Sequence, residues 1–236
     1  MRTPGANAST RLWTRIVVYL IARLTQNRLT RHLVAFIQPA LDHLEATELA
    51  TFAAERALVV ARAHHDGADD ELDEVVTQLE GQVYLHVRKD RKSALYKKLF
   101  PNGLVAITAA RIPDEIAAVK ILEAAVAREL DGVDFATRLL PELRAAREEI
   151  ERQQPLLQTA IDALSRTWAA ELAARHDIRR QYRVMFAELI KLFPENIKKV
   201  NSFFRDPGTP RPPAADETEE ETVAPPATPI EPGIPG

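Results

Sequence analysis

The chain contains no cysteine, which excludes disulfide bonds, thiolate metal ligands and cysteine nucleophiles. Glycine is scarce, eight in 236 residues, and none stands in a phosphate-cradling loop. Long apolar runs are missing too. The best one, Ile16 to Ala22, sits between Arg15 and Arg23 and falls far short of the roughly 20 residues that cross a membrane. No small-residue cleavage site follows it, so it does not read as a signal peptide. A soluble, cytoplasmic protein is the expectation.

Motifs that carry chemistry are equally sparse. Carboxylate-bridged di-iron bundles need Glu-x-x-His on two helices, a spacing that occurs nowhere here. The histidines His32, His43, His64, His65, His86 and His176 form no zinc-type pair, and Asp66 to Glu74 lacks the glycine position of a calcium loop. No serine sits in a nucleophile elbow. The sequence offers no catalytic, cofactor-binding or metal-ligating candidate, and a non-enzymatic protein is expected. An enzyme whose groups meet only in three dimensions is the alternative.

What is present is helical grammar. Alanine, leucine, glutamate and arginine abound, with apolar residues three or four apart, which predicts an all-α fold with coiled-coil character. One stripe runs through Leu157, Ile161, Leu164, Trp168, Leu172, Ile178, Tyr182, Met185, Leu189 and Leu192, with a break expected before it at Gln153 to Pro155. Another joins Leu41, Leu44, Leu49, Phe52, Val59 and Ala63 and is expected to stop at His64 to Gly67. The acids Asp69 to Glu74 then suit the start of a new helix continuing to Leu99. Shorter helices are expected before Pro39 and, over Ile116 to Leu130, before Gly132.

Lys98-Leu99-Phe100-Pro101 recurs as Lys191-Leu192-Phe193-Pro194, 93 positions on, and the same offset pairs Leu79 with Leu172, Ala94 with Ala187, Leu104 with Ile197 and Pro39 with Gly132. Such self-similarity predicts internal duplication. The expected architecture is an elongated antiparallel bundle of about six long helices, built from two tandem three-helix units at roughly 20–101 and 113–194. The bundle as a whole spans 11–205, after a flexible segment 1–10. From Asp206 the composition turns to Pro, Ala, Thr and Glu, so 206–236 is expected to be disordered.

The net charge of -3 hides a polarity: residues 1–44 hold six arginines against Asp42, whereas 206–236 hold seven acids against Arg211. Two basic clusters precede the repeated Phe-Pro. Arg88, Lys89, Arg91 and Lys92 form one, and Arg179, Arg180 and Arg183 the other. Both are candidate contacts for a polyanion or an acidic partner, although cations near a helix C-terminus also satisfy its dipole. Arg88 to Ser93 holds no apolar residue, so the helix there is expected to project or to carry a polar layer, with Glu171 and Arg175 as a comparable pair. The near-neutral middle argues against nucleic acid as partner. Residues 11–24 resemble an interfacial helix, but Ile16 to Ala22 is apolar all round and points to burial. The functional expectation is a scaffold or adaptor with a protein partner of unknown identity, self-associating through its long helices. A polyanion binder is the alternative.

Overall fold

Two helices carry most of the chain. In a computed structural model that describes residues 4, 5 and 8–204, α2 (Val34–His86) has 53 residues and α6 (Asp134–Leu192) has 59. At 1.5 Å per residue they reach about 80 and 90 Å. The remaining helices are α1 (Thr10–Gln26), α3 (Ala94–Leu99), α4 (Val105–Thr108), α5 (Ile112–Glu129) and α7 (Ile197–Asn201). The chain is all-α, with no strand among the described residues. Only two helices are truly long, against the six expected. The expected disordered tail 206–236, and residues 1–3, 6 and 7 of the expected flexible start, lie outside the described residues.

α2 and α6 run antiparallel. Leu41 and Leu44 share one apolar core with Ile178 to Leu189, while Leu72 to Val83 share another with Leu139 to Ile150. Between them a continuous seam follows Leu44, Thr47, Thr51, Ala54, Leu58, Ala61, His65, Ala68 and Leu72 on α2, all buried or half-buried. Leu143, Ala146, Ile150, Gln153, Leu157, Ala160, Leu164, Thr167, Glu171 and Ala174 answer it on α6. Steps of three and four alternate throughout, which is the 3.5-residue period of a coiled coil. Small side chains dominate its middle. Their hydroxyls stay within their own helices, Thr47 donating to the Leu44 carbonyl and Thr51 to the Thr47 carbonyl.

Each end of this hairpin carries a third helix. At one end α1, capped by the Ser9 hydroxyl, buries Trp13, Ile16, Val17, Leu20 and Leu24 against α2 and α6. Trp13 stands edge-on to Tyr182 at 5.8 Å. At the other end α3, α4 and α5 close around the second core, where Phe100 is buried. No helix among the described residues is long and apolar enough to cross a membrane.

Several expected breaks are absent. Pro39, Pro141 and Pro155 all lie inside helices, and α2 runs unbroken through His64 to Gly67. An interior proline costs about 3 kcal/mol and an interior glycine about 1, yet seam residues on both sides carry the helices past Pro155 and Gly67, while Pro39 and Pro141 lie near the helix starts, just ahead of buried Leu41 and Leu143. Asp69 to Glu74 therefore sit in the middle of α2, not at a helix start. Nor are Pro39 and Gly132 equivalent, because Gly132 (φ 74°) lies in the turn between α5 and α6. Leu79 is buried whereas Leu172 is largely exposed. The repeated Phe-Pro does mark like positions: Phe100 (φ −127°, ψ 67°) and Phe193 (φ −133°, ψ 60°) end their helices in nearly the same conformation.

The polar run after α2 neither projects as helix nor forms a layer. The helix stops at His86, since no apolar side chain from Arg88 to Ser93 would anchor a further turn. The Lys89 N–H donates to the Tyr84 carbonyl at 2.8 Å and the Arg88 N–H to Leu85 at 2.9 Å, the pattern of a Schellman cap. Arg88 (φ 54°) and Lys89 (φ 65°) are both left-handed, a conformation that disfavours side chains by about 1–2 kcal/mol. Arg88→Gly is accordingly expected to raise unfolding stability by about 1 kcal/mol in urea titration. A loss of stability would contradict the left-handed cap.

Candidate functional site

The two basic clusters do not meet. Arg88, Lys89, Arg91 and Lys92 belong to the turn after α2, while Arg179, Arg180 and Arg183 lie on α6 near the opposite end of the hairpin. With about 50 residues of α2 between those ends, they stand roughly 75 Å apart. Arg91 is already engaged, 3.3 Å from buried Glu80 and over the Tyr84 ring. Its neighbours Arg88 and Lys89 point from a strained turn into solvent. The α6 cluster is better formed: Arg179, Arg180 and Arg183 line, with His176, an open depression of about 530 Å³. Arg180 pairs with Asp177, and the Nε of Arg179 is buried without an acceptor.

A group of carboxyls that the sequence reading did not single out lies between α2 and α5. Asp69 and Asp73, one helical turn apart, face Glu115 in the first turn of α5, which is 2% exposed. Burial first, then the charges of Asp73 and Asp69 and hydrogen bonds to both, push Glu115 up to about 8. Burial and the neighbouring Asp73 likewise raise Asp69. Glu115 thus keeps its proton at neutral pH, where the protonated carboxyl can donate to an aspartate. Its first-turn position hid this role, although Glu115 falls in the same spacing as buried Val119, Leu122 and Val126. By contrast, buried Glu123 is satisfied by Arg147 at 2.6 Å. No group of three or more His, Cys, Asp or Glu side chains among the described residues is arranged to hold a metal ion.

The third feature is the shaft of the hairpin between its two end cores. Here Leu49, Phe52, Val59 and Val60 of α2 and Leu156, Ile161, Trp168 and Leu172 of α6 are exposed. Trp168 leaves 62% and Val59 68% of its surface in water. Most of these residues belong to the expected core stripes. The seam beside them is made of Leu58, Leu157 and Leu164 alternating with Ala and Thr. Exposed large apolar side chains on two adjacent helices are the kind of feature that marks a contact site. The predicted Glu171–Arg175 pair is present at 3.9 Å, and the Thr10 hydroxyl also donates to Glu171.

The Glu115 carboxyl has a measurable signature. Its proton is held more tightly in the folded than in the unfolded chain, where it dissociates near the ordinary carboxyl value. Folding stability from this group is therefore complete below about pH 4.5 and falls as pH rises toward 8. Glu115→Gln, which keeps a donor without an ionisable proton, is expected to flatten that slope and to melt above the wild type at pH 8.5. Parallel pH–stability curves for the two proteins would refute the assignment. No family model matches this chain, and no curated protein or solved structure is similar to it.

Proposed function

We propose that this chain is a cytoplasmic, non-enzymatic scaffold that works through protein–protein contacts along the α2–α6 shaft. The supporting observation is the exposed apolar surface at mid-hairpin, with Phe52, Val59 and Trp168 more than half in water. Leaving such side chains uncovered forgoes about 25 cal/mol per Å² that a partner would recover. The Phe-Pro ends shared by Phe100 and Phe193 support an origin by duplication.

A second reading, binding of a polyanion, draws on the arginine-lined depression of α6. It is weaker, because Asp177 already neutralises Arg180. The two readings separate experimentally. Tagged full-length protein recovered from its host is expected to retain its protein partners when Arg179, Arg180 and Arg183 are changed to Glu, and to lose them in Phe52→Glu/Trp168→Glu at unchanged helicity. The reverse outcome would favour the polyanion reading and end the scaffold reading of the shaft.

A further inference from the structure

The layer that α1 and α5 form on the hairpin has a gap. On α2, Arg11 of α1 reaches Glu48, and Glu115 of α5 meets Asp69 and Asp73. Glu48 and Asp69 stand four residues after the seam positions Leu44 and His65, so both flank the seam on the same side. On α6, Arg147 takes Glu123 and Glu151 takes Lys120, again one side of the seam. α1 and α5 therefore cover one face of the hairpin, each beginning toward its middle. From Glu48 to Asp69, and from Glu151 to Glu171, that face carries no third helix among the described residues. Some 20 residues of rise leave an opening of about 30 Å.

On α6 the opening is floored by Ile161 and Trp168, four residues after the seam positions Leu157 and Leu164; on α2 the matching positions are Glu55 and Arg62, with exposed Phe52 and Val59 farther out, one residue after Thr51 and Leu58. α5, at 18 residues, is about 27 Å long. Its outer face shows an apolar stripe with steps of four and three, Ala117, Ile121 and Ala124, with Ile121 72% exposed. We propose that a second copy of this chain lays its α5 into the opening and receives α5 of the first in its own. This deepens the protein-contact reading by naming the partner.

A two-fold axis beside the N-termini of the two α5 helices satisfies both openings at once. The middle layer then reads α1, α5 of the second copy, α5, and α1 of the second copy, sandwiched between two hairpins. Charge agrees with this direction. Arg62 lies at the end of the opening nearer α5 and Glu55 toward α1, and neither is ion-paired among the described residues. In the second copy's α5, Asp114 at the N-terminal end would reach Arg62, and Arg128 near the C-terminal end would reach Glu55. Four footprints of about 27 by 10 Å amount to roughly 1,100 Å², above the ~1,000 Å² that a specific interface needs. The outer face of α1 has the length but presents Arg11 and Arg15 where α5 presents alanine, so α5 is the better occupant.

The absence of cysteine makes the test clean. Full-length protein is expected to sediment as a dimer at tens of micromolar, and Trp168→Glu or Ile121→Glu to weaken the dimer at least 100-fold with helicity unchanged. Under mild oxidation an equimolar mixture of Val59→Cys and Ile121→Cys proteins should yield a disulfide-linked dimer that neither protein forms alone. A monomeric wild type overturns the proposal. So does a dimer that cross-links through Val18→Cys and Val59→Cys, which would put α1 in the opening, or one that survives both charge substitutions. A monomer that still captures other proteins through the shaft would leave the scaffold reading standing while this inference fails.

Discussion

Everything in this fold hangs on the seam between α2 and α6. It pairs residues separated by about a hundred positions, and neither end core would have two of its three walls without it. The seam is unusual in what it spends on the middle: Thr47, Thr51, Ala54, Ala61 and Ala160 bury little apolar area each, so the helices gain closeness in place of volume. Large side chains are then concentrated at the two ends, where Trp13, Leu20, Tyr182, Leu72, Leu79 and Leu143 are fully enclosed. The leucines, valines and tryptophan beside the seam are left outside because Leu58, Leu157, Leu164 and the alanines and threonines between them already hold the interior positions.

Charge is handled differently on the two sides of α5. Glu123 sits in a network with Arg147 and Arg144, and Lys120 ties Glu151 to the same helix face, so burial is offset by opposite charge. Glu115, about two turns from Glu123 on the same helix, has aspartates for neighbours and offsets burial by keeping its proton. The first arrangement holds across the whole neutral range. The second makes the junction where α5 begins, at the edge of the shaft, the place where stability depends on pH.

The sequence made the helical class legible, since period and composition both require it, and it located the ends at Phe100 and Phe193, where a Phe-Pro pair closes each half. It misled wherever hydrophobicity stood in for burial. Phe52, Val59, Ile161 and Trp168 have the right spacing for a core stripe, yet only part of each expected stripe is buried: Leu157 and Leu164 lie in the seam, while Thr51, Leu58, Ala160 and Thr167 take the places next to these four. Punctuation misled for the same reason. Pro155 and Gly67 are breaking signals judged locally, and a seam tens of residues long outweighs them. The carboxyl group of Glu115 was visible as a helix-start acid, while its meeting with Asp69 and Asp73 depends on α5 crossing α2, which no local pattern records.

These features bear on one another through local stability. A segment that buries few large side chains opens more readily than the cores beside it, so the shaft is the soft part of a hairpin with two firm ends. The same segment carries the uncovered apolar surface. A partner that binds there stabilises the stretch that needs it most, and by mass action the gain grows with the partner's concentration. Filling the seam with larger residues would firm the shaft in isolation but push the helices apart and widen the face that the partner must match. Alanine in the seam and tryptophan beside it are thus two halves of one arrangement: small residues take the interior positions, and large ones stand at the surface next to them.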